Sequence, residues 1–346
     1  MILRALCRIA VLLAVLGVAP GVAGQPAATP SGARPGSLSL WTAAQLREPS
    51  LRPQAGAERA IRQLPRPDTT PPARTEPLAA PQAPALPGVI RRVALPEADR
   101  RVALTFDLCE RSVHVTGYDA RLVDVLRAGN AKATFFAGGK WLRSHPERAL
   151  QLMADPRFEL GNHAWTHANM AVAAPDERRR QTLWTSAQYE LLREELDRRL
   201  LARGLPASGL PPLALFRLPY GRGGPEVWRE LNALGLSVIQ WDVVGEGGGG
   251  TPRARAEAVA RALRPGSIVL FHANCVPRDT ALLLRELLPL LARRGFATAT
   301  VSELLRAGAP EAVDQGWFTT PDDNAVYDHM FEAAGTGARY KKSQGR

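Results

Sequence analysis

The chain has 346 residues, 45% of them hydrophobic, and its 44 Lys and Arg outnumber 33 Asp and Glu to give a formal charge of +11. Three cysteines in so long a chain exclude a small disulfide-built scaffold. The basic residues are nearly all Arg and scattered, with no basic-aromatic module, which gives a nucleic-acid reader little support and fits either an affinity for anionic polymers or a generally basic protein.

Arg4 and Arg8, an apolar stretch over 9–16 and the small residues Gly21-Val22-Ala23-Gly24 have the layout of a secretory signal peptide over 1–24. The stretch falls well short of the roughly 20 apolar residues of a spanning helix, so cleavage is expected and no stable membrane span after it. The mature protein is then exported, to the periplasm or beyond the cell. Residues 25–89 are rich in Pro and Ala without periodicity and read as a semi-extended linker. Residues 90–309 suit one α/β domain, and 310–346 read as a C-terminal tail. With Cys7 in the signal, Cys109 and Cys275 remain, and an oxidising compartment predicts a bridge between them.

Along the domain, short apolar runs at 102–106, 133–136, 158–160, 214–216, 237–241, 267–271 and 297–301 alternate with amphipathic stretches. Those stretches, at 119–128, 145–153, 175–201, 225–234, 252–263 and 280–294, read as helices. Pro175, Pro225 and Pro252 suit first helical turns and Gly295 a C-terminal cap. Repeated alternation predicts parallel strands covered by helices, and seven strands suggest a closed or nearly closed barrel. In such a fold the C-terminal strand ends share one functional face.

Four candidate positions fall at those ends. Asp107 closes the run 102–106, and an ionisable group there suits a catalytic carboxylate, though a loop-capping Asp has the same appearance. His163 and His167 are spaced i, i+4, close enough to grip one zinc-like cation; surface pairs share that spacing, and Ala164 excludes the H-E-x-x-H protease pattern. Trp165 between them reads as core. Arg217 and Tyr220 follow a third run: Arg217 suits pairing with Asp107, and the Tyr220 amide, shaped by Pro219 and Gly221, suits an oxyanion donor. His272 ends the run 267–271, placed either as a core histidine or as a proton donor to a leaving group. Together these residues point to metal-assisted hydrolysis.

The order Thr105-Phe106-Asp107, His163-x-x-x-His167, Arg217-x-Pro219-Tyr220-Gly221 and Leu270-Phe271-His272 resembles the polysaccharide deacetylases of the NodB-homology family, carbohydrate esterase family four. Lys132-Ala133-Thr134-Phe135-Phe136, Glu159-Leu160-Gly161-Asn162-His163 and Gly295-Phe296 extend the similarity over about 93–305. The resemblance implies a distorted seven-stranded (β/α) barrel and a divalent metal, usually zinc, used to remove acetyl groups from a polysaccharide or oligosaccharide. It implies Asp107 as base, His163 and His167 as metal ligands, Tyr220 as oxyanion donor and His272 as acid. Two departures stand out. The family has a second, metal-binding aspartate where this chain has Leu108, so a third ligand must come from elsewhere, with Glu110 or Asp107 favoured over a Cys109 thiolate or an extra water. The fourth motif is altered too, leaving Asp242 or Glu246 to orient His272. Leu108 keeps two alternatives in view: a non-catalytic glycan-binding module with a decayed metal site, and a metal-free amide hydrolase on the same barrel.

Overall fold

Strands buried on both faces by covering helices read as near-continuous apolar runs, and the central sheet of this chain is built from such runs. The computed structural model describes residues 37–47, 61–274, 279–330 and Gly335; the expected signal peptide and Cys275 lie outside them. The strands are β1 (Arg62–Gln63), β2 (Val89–Ala94), β3 (Arg101–Leu108), β4 (His114–Val115), β5 (Ala133–Ala137) and β6 (Phe158–Asn162). After the long helix Pro175–Leu201 come β7 (Leu215–Phe216), β8 (Ser237–Ile239), β9 (Val243–Val244), β10 (Ile268–His272), β11 (Ala297–Ala299) and β12 (Ala309–Val313).

Seven parallel strands run in the order β2-β8-β7-β6-β5-β3-β10. β9 extends the sheet beyond β10, β12 lies antiparallel on β2, and β11 pairs with β3 off this path. The ends of the seven curl toward each other, with Val93 N donating to Gly266 O at 3.0 Å and Arg92 bridging Ser267. The result is the expected α/β fold, a distorted seven-stranded (β/α) barrel of the NodB type. Stacked rings of Phe106, Phe135 and Phe271, with centroids 5.2 and 5.3 Å apart, fill the space beneath the helices. Each such ring contributes about 1.5–3 kcal/mol of burial.

Six of the seven apolar runs are barrel strands. The seventh, 297–301, supplies only β11 before Thr300 caps the helix Val301–Ala307 in a capping box with Glu303. The remaining barrel strand is β2, whose pattern Arg91 and Arg92 interrupt. The Arg91 guanidinium lies 4.2 Å over the Trp317 ring and donates to Trp317 O at 2.9 Å, and Arg92 Nε donates to Glu311 at 2.8 Å.

The stretch read as a semi-extended linker is, in part, docked on the domain. Arg74 pairs with Glu190 at 2.9 Å and Glu194 at 2.7 Å, Asp68 pairs with Arg143, and β1 pairs with β4. Trp41 is buried in the core cluster, its indole donating to Glu147. Among the described residues no helix is long and apolar enough to cross a membrane.

Register sets the working rim. His272 pairs with Asp107, Asp107 with Phe136, and Asn162 with Phe216, so the C-terminal ends of five strands lie at one level.

Candidate active site

Strand alternation decides which residues of β3 face the site. Val102, Leu104, Phe106 and Leu108 belong to the core cluster beneath the helices. Thr105 and Asp107 face the barrel interior, where both meet Arg217. Arg217 is fully buried and reaches four acceptors: Thr105 Oγ1 at 2.7 Å, Asp107 Oδ1 at 3.1 Å, Gln240 O at 3.0 Å and Ile239 O at 3.2 Å. Its plane lies 4.1 Å from the Phe136 ring. Burial lowers its pKa and the charge of Asp107 opposes that effect. This is an interior positioning pair.

The histidine pair sits in a tight loop after β6. Asn162 Oδ1 accepts from Ala164 N at 2.9 Å, and Gln181 clamps Thr166 at both its N–H (2.8 Å) and its hydroxyl (2.9 Å). These bonds hold Ala164 at φ 61 and His167 at φ 56, left-handed values that non-glycine residues seldom adopt. The two rings end up 4.8 Å apart. Trp165 points into the core beside Trp184, and a Cβ on Gly139 would fall 2.2 Å from its ring. His163 Nδ1 lies 3.0 Å from Arg217 O, a carbonyl that can only accept, so Nδ1 carries the proton. Nε2 is left with no hydrogen-bond partner among the described residues, 3.5 Å from Asp107 Oδ2. Burial lowers the pKa of both imidazoles, and for His167 the neighbouring His163 adds to it. Neutral rings are what a cation requires.

Cys109 Sγ and the ligand nitrogens of His163 and His167 all lie within 4.8 Å of one another. Cys109 is a free thiol, and its expected partner Cys275 is outside the described residues. Burial, then the charge of Asp107, pushes the Cys109 thiol up to about 12. Asn274 Nδ2 donates to its sulfur at 3.2 Å. An orphaned imidazole nitrogen facing a second imidazole and a thiol fits a divalent cation.

Glu110, one of the two favoured third ligands, is turned away. It is fully buried, ion-paired with Lys140, and accepts from Ser144 Oγ at 3.0 Å and Thr116 N at 3.1 Å. Lys140 was not singled out from sequence, yet its presence on the helix Gly139–Ser144 decides where Glu110 points. Asp107, the other favoured ligand, is held by Arg217 through Oδ1; its Oδ2 stands 3.5 Å from His163 Nε2, but it is not among the donors that lie mutually within 4.8 Å.

At the opposite side of the rim, Glu246 orients His272. It accepts from His272 Nδ1 at 2.7 Å, from His272 N at 3.0 Å and from the Thr280 hydroxyl. Asp242 instead caps the start of β10 through Ile268 N at 2.8 Å and Ser267 Oγ at 2.9 Å. Burial disfavours protonated His272, but the hydrogen bond and charge of Glu246 outweigh it and hold the pKa above the ordinary imidazole value.

Tyr220 has φ 58 and ψ 7, between Pro219 and Gly221, and its ring lies 4.3 Å from that of His167. Asn324, from the C-terminal segment, donates to Tyr220 O at 2.7 Å and accepts from Arg222 at 3.2 Å, and Tyr327 packs 5.0 Å from the Tyr220 ring. A side chain on Gly221 would meet that Asn324 amide at 2.9 Å. No periodicity or motif marks this segment in the sequence.

A parallel barrel with a carboxylate, an arginine, two histidines and an acid-bound third histidine at its C-terminal rim defines a NodB-type hydrolase fold. The profile of the polysaccharide deacetylase family matches residues 95–239. It is 29% identical over 194 residues to a chitooligosaccharide deacetylase of Azorhizobium caulinodans, covering 50% of this chain and 81% of the relative. A carbohydrate esterase family four pseudoenzyme of Bacillus anthracis has a similar structure, with TM-score 0.51, 25% identity, and coverage of 66% of this chain and 72% of that one. A mutant of that pseudoenzyme with restored enzymatic activity aligns with TM-score 0.51 and 26% identity over 64% of this chain and 72% of its own.

Proposed function

We propose that this chain is an exported, metal-dependent polysaccharide deacetylase that hydrolyses N-acetyl or O-acetyl groups of a glycan. The carrying observation is the convergence of Asp107, His163 and Arg217, with His272 in register across β3 and β10. His163 and His167 hold the cation. When bound it supplies Lewis-acid polarisation of the acetyl carbonyl and a more acidic water.

The protein's own groups do the rest. Arg217 fixes the carboxylate of Asp107, which takes a proton from the attacking water. The backbone N–H of Tyr220 receives the developing oxyanion. His272, aimed by Glu246 through Nδ1, presents Nε2 to the departing amine or alkoxide and protonates it.

The test is acetate release from acetylated chitooligosaccharide and acetylated xylan by protein with and without a chelator. Loss of release on chelation, and its return with zinc, is the expected result; release indifferent to chelator overturns the metal-dependent reading and leaves the metal-free amide hydrolase. A second reading rests on Leu108: a glycan-binding module without turnover. Saturable glycan binding by zinc-loaded protein with no acetate released establishes that reading instead.

A further inference from the structure

Leu108 occupies the position from which the family's metal-binding carboxylate would come, and its side chain is fully buried in the core cluster. The residue after it is different in kind. Cys109 lies two positions beyond Asp107, brings its sulfur to the imidazoles of His163 and His167, and is a free cysteine among the described residues. An observation independent of the thiol also points to a ligand here. His163 is 1% exposed, and its Nε2, aimed into the same space, has no hydrogen-bond partner among the described residues. Of the rival third ligands, Glu110 is engaged by Lys140, while Asp107 gives Oδ1 to Arg217 and keeps Oδ2 3.5 Å from His163 Nε2 without joining the group of donors that lie mutually within 4.8 Å.

We infer that Cys109, as thiolate, is the third protein ligand of the cation, making a Cys-His-His site selective for thiophilic zinc or cobalt(II) over magnesium, calcium or manganese. The inference rests on the metal-dependent reading of the same site. Two imidazoles and a thiolate leave one tetrahedral position open, the arrangement of a catalytic zinc. Soft thiolate ligation favours zinc and disfavours the hard oxygen-seeking cations. On binding, the S–H bond breaks, sulfur keeps the electron pair for the metal, and the proton leaves to solvent. Bonds of ~2.0–2.3 Å place tetrahedral donors roughly 3.5 Å apart. Separations of up to 4.8 Å therefore close by about 1 Å on loading.

Cobalt(II)-loaded full-length protein tests this by absorption, with metal content measured alongside. The expected result is a near-ultraviolet thiolate-to-cobalt charge-transfer band that survives Cys275→Ser and disappears in Cys109→Ser and Cys109→Asp. Zinc affinity should fall at least tenfold in Cys109→Ala, and Cys109→Asp should keep a metal while gaining manganese relative to zinc. Circular dichroism of each variant checks that it folds. A band that persists in Cys109→Ser, or undiminished zinc affinity in Cys109→Ala, overturns the inference. The two readings fail separately: the band without acetate release removes only the deacetylase, and metal-dependent release without the band removes only the thiolate.

Discussion

Replacing Glu246 by Gln asks whether His272 is a proton donor. The carboxylate accepts three bonds, from His272 N at 3.0 Å, from His272 Nδ1 at 2.7 Å and from the Thr280 hydroxyl. Glutamine offers one acceptor oxygen and one NH2. If its oxygen keeps the His272 N–H and the Thr280 hydroxyl, the NH2 must face Nδ1, which then has to accept. The ring becomes neutral, with its single proton on Nε2. Burial already disfavours the imidazolium and Glu246 is what sustains it, so the variant loses the competent acid.

General acid catalysis contributes about 10²–10⁴-fold. At ~1.36 kcal/mol per decade, that is roughly 3–5 kcal/mol of transition-state stabilisation. The assay compares an N-acetylated chitooligosaccharide with an aryl acetate, whose phenolate departs without a proton. The expected loss is at least ~100-fold on the first and under about tenfold on the second. The pH profile gives an independent reading. Protonated His272 is present below its raised pKa and lost as pH rises through it, so the basic limb of kcat/KM lies above the ordinary histidine range. Removing the charge of Glu246 moves that limb to lower pH. Equal losses on the two substrates, or a limb that does not move, would refute proton donation by His272.

Asp107→Asn keeps an acceptor for Arg217 but removes the base, and acetate release should fall about 10²–10⁴-fold while zinc content stays at the parent level; loss of zinc would make Asp107 a ligand instead. Lys140→Met leaves the buried Glu110 charge unpaired and should cost about 3–5 kcal/mol in denaturant unfolding, with zinc per folded molecule unchanged. A zinc deficit there would return Glu110 to the metal. Asn324→Ala removes the donor to Tyr220 O, worth about 0.5–1.5 kcal/mol. Its expected signature is a severalfold fall in kcat with KM and zinc content held; a change confined to thermal stability would count against a positioning role.

Much of this arrangement was legible in the residue order because parallel strands announce themselves as apolar runs and their C-terminal ends carry the polar residues. Asp107, His163, His167, Arg217 and His272 could be placed at one rim from that rule alone. The loop around His163 was less legible. Its i, i+4 spacing suggested helical geometry or a tight turn, and side-chain bonds from Asn162 and Gln181 impose left-handed backbone at Ala164 and His167. β2 escaped notice because Arg91 and Arg92 break its pattern, and only the distant Trp317 and Glu311 reveal why they are tolerated. Glu110 looked available because its partner Lys140 lies 30 residues away. The same blindness to distant contacts hid Asn324 and Tyr327, and hid the contacts of Arg74 and Asp68 that dock part of the semi-extended linker.

The exchange of an aspartate for Leu108 is best understood through the register of β3. Consecutive residues of a strand face opposite sides, so a second ligand directly after Asp107 requires the chain to leave regular geometry at once. Here it does not: Leu108 still pairs with Ala137, and its carbonyl accepts from Gly138 N at 2.9 Å. The side chain at 108 therefore enters the apolar core, and the next one, Cys109, returns to the face of Asp107. Leu108→Asp should not rebuild the family's carboxylate ligand. It should bury an unpaired acid at a fully buried position, costing several kcal/mol and lowering the melting temperature, without raising zinc affinity. A stable Leu108→Asp protein with tighter zinc binding would show that β3 bends before Leu108 and that the thiol is not the group the fold presents to the metal.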